Sequence, residues 1–339
     1  MNLLPNEQQQ EILSVVSSFT ANELSVRRLQ QAENRGSRYS QALWQQLVEL
    51  GWFGIGISEQ QGGLGLGIAD EMLLAREAGR QLMSPTVLAT AFACHLASAN
   101  QQQDLLADLI AGKTRVALAL ASRAMLDGEQ LSGDVSVFDG DGMDTATDAI
   151  LICAQQACYL VSGELLAELS PSPCTDESLA MHIGECTQVP VLASSKPAQL
   201  QFLLGQYLAA ALVGISEATL DAAANYAKER EQFGKPIGSF QAINHLCADM
   251  AVRCAAAWSQ TVATALNFEL ERPSVPQDVA SQALMSEQAA LENSRANIQI
   301  HGGVGFTVEY DAHYYLKRSH VYRNCLKQLI PVKPLLLAA

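Results

Sequence analysis

Through the first hundred or so residues the apolar positions recur at helical spacing. Between Ser40 and Leu50, the residues Leu43, Trp44, Leu47 and Leu50 fall at i, i+1, i+4 and i+7, a single stripe, and Gly51 is placed to close the helix in the left-handed region. The pattern predicts a second helix from about Ile68 to Leu82, after the glycine-dense stretch Gly62 to Gly67 and before Pro85. Two more follow, from about Val87 to Ser98 and around Asp104 to Ile110. From Arg115 the period changes. Short apolar runs, Val116 to Ala121, Val135 to Phe138, Ala149 to Ala154, Cys158 to Ser162 and Val189 to Ala193, are separated by Gly, Asp, Ser and Pro, which predicts strands joined by turns.

After Pro197 the helical period returns. The stretch from Ala198 to about Glu231 contains no proline, and its Leu203, Leu204, Tyr207, Leu208, Ala211 and Leu212 are apolar around most of the circumference, as in a helix inside a bundle. A further helix begins near Ser239 and continues to about Glu269, with Ile243, Leu246, Cys247, Met250 and Cys254 on one face. Pro276 suits the first turn of another, which runs to about Ile300 and is broken by His301-Gly302-Gly303. The fold class read from this order is α+β, mostly α: an N-terminal helical domain over 1–113, a small β-domain over 114–197 and a C-terminal four-helix bundle over 198–339.

Composition agrees with a folded chain, since 49% of residues are apolar and 17% charged, enough to bury a core. A net charge of −14 repels phosphate backbones and anionic bilayers, so nucleic acid is not an expected partner. No apolar run approaches the ~18 to 20 residues of a membrane span. The start of the chain lacks a basic region followed by an apolar one, so a cytoplasmic protein is expected. The eight cysteines show no CxxC or paired Cys/His spacing, and His182, His245 and His320 stand apart, so the thiols are expected reduced and buried and no metal is assigned. The acidic stretch Asp139 to Asp144 has Asp144 where a calcium loop needs glycine and Ile150 where it needs a carboxylate, and is read as a solvated turn. Gly54-Ile-Gly56 lacks the third glycine of a Rossmann fingerprint, which leaves nicotinamide binding unsupported.

Two segments are not explained by periodicity: Arg230-Glu-Gln-Phe233-Gly234-Lys235-Pro236-Ile237-Gly238-Ser239-Phe240-Gln241 and Gln299-Ile300-His301-Gly302-Gly303-Val304-Gly305-Phe306-Thr307. Together they resemble the signature segments of the acyl-CoA dehydrogenase family of flavoproteins. Gly51-Trp-Phe-Gly54, Ser58 to Leu66 and Ala75 to Arg80 are similar to that family's N-terminal helical domain, and helices, β-domain, bundle is the family's order.

The resemblance implies FAD as cofactor, an acyl-CoA substrate and an oligomer in which bundle residues reach the dinucleotide held mainly by a neighbouring subunit. By position in the motifs, Arg230 would meet the pyrophosphate, its planar guanidinium suiting phosphate oxygens. Phe233 would lie against the adenine, Gln241 would bond the pyrophosphate or a linking oxygen, and Gln299 would reach the sugar side. Gly302 and Gly303 would let the backbone approach closely.

The family's desaturation needs a carboxylate to remove an α-proton. Its usual base follows the glycine pair, and counting without gaps puts Leu326 there, or Arg323 in the other register; Asp311 is the last acidic residue of the sequence. The alternative place, on the first bundle helix, is matched by Leu204, and no Asp or Glu occurs between Glu185 and Glu217. Glu309 and Asp311 are candidates by proximity to the glycine loop alone. The family's flavin-ring segment has no counterpart between Ala117 and Asp127, and no tryptophan lies between Trp52 and Trp258. The sequence is short for the family, with the shortfall in the β-domain and after the bundle.

The expectation is therefore a short, catalytically degenerate subunit of a heteromeric acyl-CoA dehydrogenase, a class the resemblance associates with bulky thioesters such as steroid side chains. Two alternatives stand beside it: a homo-oligomeric dehydrogenase with an unrecognised base, and a non-catalytic scaffold or acyl-CoA-binding relative. A scaffold would have no reason to keep arginine, phenylalanine and glutamine at flavin-site spacing.

Overall fold

The computed structural model describes residues 5–30, 41–139, 147–154, 156–195 and 199–337. Most of the acidic stretch after Asp139, together with Ser40, Pro197, Ala198 and Ala339, lies outside the described residues.

Among the described residues five α-helices come first: α1 (Glu7–Glu23), α2 (Gln41–Glu49), α3 (Ile68–Arg80), α4 (Pro85–Ala99) and α5 (Gln103–Ile110). A capping box starts α1, where the Asn6 side chain accepts from the Gln9 N–H at 2.8 Å and Gln9 accepts in return from the Asn6 N–H at 3.1 Å. The expected stripe of α2 buries Leu43, Trp44 and Leu47, and the Trp44 indole donates to the Gly112 carbonyl at 2.9 Å. Pro85 opens α4, because the Ser84 hydroxyl caps the Thr86 N–H and proline has no amide to leave unpaired there.

The middle of the chain is a small closed barrel. Its strands β1 (Val116–Asp127), β2 (Gln130–Asp139), β3 (Ala149–Ala154), β4 (Ala157–Ser162), β5 (Ser170–Ser172) and β6 (Ala180–Ser194) run in the order β2-β1-β3-β4-β6-β5. The long β6 closes the circle by pairing with β2 along its first part and with β4 along its last. All pairings are antiparallel except β1 with β3. Alternation sorts the side chains: Ala117, Ala119, Ile150 and Ile152 fill the barrel, while Val116, Leu118, Leu151 and Cys153 join the core shared with the helices.

The remainder is α6 (Gln199–Glu229), α7 (Gln241–Glu269), α8 (Val275–His301), α9 (Ala312–Leu329) and the short α10 (Val332–Leu337). Helix α6 is buried from Leu203 through Ser216 and crosses α3 with backbones touching: a Cβ on Gly79 would fall 1.9 Å from the Ala211 carbonyl oxygen, and one on Gly214 1.8 Å from that of Arg76. The ion pair Arg76–Glu217 at 2.6 Å flanks the crossing. One expectation is corrected here. By length and composition α6 is long and apolar enough to cross a bilayer, but most of it is enclosed by the other helices, so its apolar surface follows from a place inside the bundle.

Candidate functional site

The last turns of α6, the start of α7 and the end of α8 meet at one end of the bundle, around a small core of Ala223, Ala227, Met250 and Ile300. Both motifs lie at this end. Arg230 follows α6 directly: its N–H donates to the Tyr226 carbonyl at 2.8 Å, and its own carbonyl accepts from the Ile237 N–H at 2.8 Å. These bonds fold back a two-stranded hairpin, β7 (Glu231–Gln232) against β8 (Lys235–Pro236).

The hairpin turn is Phe233-Gly234, with φ of 54° and 76°. Both central residues are left-handed, as a tight turn between twisted strands requires, and for phenylalanine that conformation is uncommon. The turn pushes the Phe233 ring out of the core, 92% exposed, with an edge contact to Phe240 at 6.1 Å. An exposed aromatic ring at a hairpin turn offers a stacking face. Gln241 is the exposed first residue of α7, and no side chain caps that helix, so its first backbone N–H groups and their partial positive charge are open to an anion.

Across from the hairpin, Gln299 is exposed on the last turn of α8 and Gly302 ends the helix at φ 63°, ψ −140°, a conformation reserved for glycine. A Cβ added at Gly302 or Gly303 would meet nothing within 4 Å, so the loop backbone is bare toward open space. Between hairpin and loop stands His301, buried, with its imidazole 4.2 Å from the Tyr226 ring and 4.4 Å from that of Tyr310. Burial holds its pKa below the ordinary histidine value, against the opposing bond to the Asn297 carbonyl. Below the hairpin a cleft of about 550 Å³ is lined by Ala224, Lys228, Pro236, Ser239, Asn244 and Cys247.

Thus Arg230, Phe233, Gln241, Gln299 and Gly303 are exposed and Gly302 half-exposed, on segments that flank this one small core. Among the described residues no carboxylate is paired with the Arg230 guanidinium. A guanidinium, open helix-terminal amides, a bare glycine loop and a free aromatic ring can together hold a phosphate-bearing ligand with a flat base.

The positions considered for a base are elsewhere. Leu204 and Leu326 are buried in the core, and Arg323 is ion-paired with Glu287. Glu309 is exposed beyond the glycine loop, and Asp311 stands immediately before α9. Sequence reasoning missed a different carboxylate. Glu71 on α3 is 2% exposed, and its Oε1 lies 2.6 Å from His95 Nε2 on α4. Desolvation alone would lower the His95 pKa, but the Glu71 charge and hydrogen bond outweigh it and raise it; burial, then Glu71, pushes the neighbouring Tyr207 hydroxyl upward. The signal available was Glu71 beside Met72 on the face of α3 that a helical wheel turns inward, a place where a charge requires a partner.

Comparison with known proteins bears on the same segments. The sequence profile of the acyl-CoA dehydrogenase N-terminal domain matches residues 6–113 and that of the C-terminal domain residues 206–325. Among curated relatives, acyl-CoA dehydrogenase IpdE2 of Mycobacterium tuberculosis is 30% identical over 321 residues, 94% of this chain and 92% of that protein. Acyl-CoA dehydrogenase FadE34 of the same organism is 33% identical over 81% of this chain, which spans 38% of the relative's length. Of solved structures, the Tcur3481-Tcur3483 steroid ACAD superposes with a TM-score of 0.82 at 23% identity, covering 98% of both chains. The ChsE4-ChsE5 complex from Mycobacterium tuberculosis does so with 0.78 at 20%, covering 100% of this chain and 97% of that one. Likeness at these identities shows the fold, whereas the match to IpdE2 is sustained along nearly the whole of both sequences; the chain belongs to the acyl-CoA dehydrogenase family.

Proposed function

We propose that this chain is a subunit of a heteromeric acyl-CoA dehydrogenase, one that lends dinucleotide-binding residues across the interface while a full-length partner supplies the base and the flavin-ring cradle. The observation that carries the reading is an asymmetry. Arg230, Phe233, Gln241 and Gly303 are exposed near the bundle end and the Gly302–Gly303 backbone meets open space, while Leu204, Leu326 and the ion-paired Arg323 occupy the positions considered for the base. Residues turned to open surface suit a ligand held by another chain.

They also fit the pyrophosphate and adenine end of FAD. Among the described residues the Arg230 guanidinium is in no ion pair, the loop admits close backbone approach, and the uncapped α7 terminus favours negative charge. Bound FAD supplies the hydride acceptor for α,β-desaturation of an acyl-CoA thioester. This chain's part is binding and orientation: Arg230 and Gln241 hold the phosphates, Phe233 covers the adenine, and Gln299 reaches the sugar. The similarity to a steroid ACAD and to the ChsE4-ChsE5 complex supports a bulky acyl group and a two-subunit assembly.

The test is the flavin content of the assembled enzyme carrying Arg230→Ala or Arg230→Lys. Loss of a charge-assisted phosphate contact, about 1.5 to 3 kcal/mol, weakens FAD retention roughly ten- to a hundredfold with thermal stability unchanged. Unaltered FAD occupancy in the alanine variant refutes the phosphate role.

A further inference from the structure

The two dinucleotide segments come from different helices, and something must keep them in register. The glycine loop has few side chains of its own to do so. Gly302 adopts a backbone conformation that only glycine tolerates, and Gly303 is exposed. The side chain immediately before them is His301, and both of its ring nitrogens are engaged.

Nδ1 lies 2.8 Å from the Asn297 carbonyl oxygen, which can only accept, so Nδ1 carries the proton. Nε2 is left with a lone pair and accepts from the Tyr310 hydroxyl at 2.8 Å. Tyr310 stands on the far side of the glycine turn, so this bond joins the loop's exit to its entrance. The Tyr226 ring lies against the imidazole, its centroid 4.2 Å away and its plane tilted by 33°, and the Tyr226 carbonyl accepts the Arg230 N–H. A continuous path therefore runs from the glycine loop through His301 and Tyr226 to the arginine.

We propose that His301 is the positioning residue that holds the Gly302–Gly303 loop and the Arg230 hairpin in one arrangement for the dinucleotide, an inference that rests on the reading of this surface given above. An aliphatic or phenyl side chain fills the same space without joining Asn297 to Tyr310. The imidazole presents a donor on one edge and an acceptor on the other, and the partners at those edges match. Its role is indirect: it reaches the ligand through the backbone it fixes.

The experiment has two readouts. Amide hydrogen exchange of Gly302 to Phe306 is followed in the flavin-free chain, and FAD dissociation in the complex with a full-length family subunit, for His301→Phe, His301→Gln, Tyr310→Phe and the double variant His301→Phe/Tyr310→Phe. His301→Phe keeps a ring against Tyr226 and removes both bonds; Tyr310→Phe removes one hydroxyl and should leave the fold intact. Tyr310→Phe is expected to speed loop exchange and FAD release about five- to tenfold, the scale of one lost internal hydrogen bond, and His301→Phe by at least as much. The double variant should be no worse than His301→Phe, because the two residues share one bond, and His301→Gln, which keeps a donor and an acceptor, should recover part of the loss. Loop exchange unchanged in both His301→Phe and Tyr310→Phe overturns the clamp. Faster exchange with unaltered FAD release overturns the proposal on its other side: the clamp would then exist, and the surface would not serve the dinucleotide.

Discussion

Arg318 of α9 and Asp176, on the segment leading into β6, form an ion pair at 2.6 Å with neither side chain reaching solvent. The guanidinium also donates to the Met83 carbonyl at 2.6 Å and to the Ser178 hydroxyl at 3.0 Å, and Asp176 accepts from the Ser178 N–H at 3.1 Å. One buried network thus joins the bundle, the β-domain and the turn between α3 and α4. Tyr322 and Tyr315 of the same helix reach the Met83 and Arg80 carbonyls, so α9 is tied to the N-terminal helices along several turns.

Breaking such a pair from one side strands a charge without water. Arg318→Met or Asp176→Asn is expected to lower unfolding free energy by about 3 to 5 kcal/mol, while Arg318→Met combined with Asp176→Leu recovers much of that by removing both charges. Urea unfolding monitored by circular dichroism decides it. Single variants within about 1 kcal/mol of the parent would show that the pair does not hold the domains together.

The same carboxyl sets an acid limit. Burial would raise its pKa, but the Arg318 charge and the Ser178 and Arg318 hydrogen bonds outweigh burial and hold Asp176 below its ordinary value of 3.8. A group whose folded value is depressed contributes stability above its unfolded pKa and loses it as pH falls through the folded one. The stability gap between the parent and Asp176→Asn is therefore constant at neutral pH and closes under acid, beginning near the ordinary carboxylate range. Unfolding free energies measured at successive pH values from neutral to acid check this, and a gap independent of pH would contradict it.

Glycines separate packing from ligand approach. Gly214→Ala drives a methyl into the Arg76 backbone at the α3–α6 crossing and is expected to cost at least about 1 to 3 kcal/mol, the usual range for overpacking. Gly303→Ala meets only open space, so its melting temperature should stay close to the parent's while FAD retention in the complex falls. Equal thermal losses at both positions, or Gly303→Ala with full flavin, would count against the placement of the loop at the ligand.

The helices were legible where one apolar face or a full apolar circumference sets the period. Trp44 with Leu47, and the run from Leu203 to Leu212, are of that kind. Helix α1 was not singled out, because of its seventeen residues only Val16 and Thr20 are buried and its polar face dominates. The strand β6 begins at Ala180, nine residues before the apolar run Val189 to Ala193 that announced it, since its earlier half pairs with β2 at the surface and is mostly half-exposed or exposed. The segment from Arg230 to Gln241 could be singled out because it is continuous in sequence: Arg230 and Phe233 belong to a tight hairpin and Gln241 starts the helix that follows it. Arg318–Asp176 and Glu71–His95 were not readable: their partners are 142 and 24 positions apart and meet only through tertiary packing.

The most direct test of a subunit that lends FAD contacts without holding the flavin itself is the absorbance spectrum of the chain purified alone and together with a candidate full-length acyl-CoA dehydrogenase partner. Both samples are titrated with straight-chain and steroid acyl-CoA thioesters. The expected result is no retained flavin in the lone chain, stoichiometric FAD in the complex, and bleaching there only. Stoichiometric FAD that bleaches in the lone chain would contradict the account.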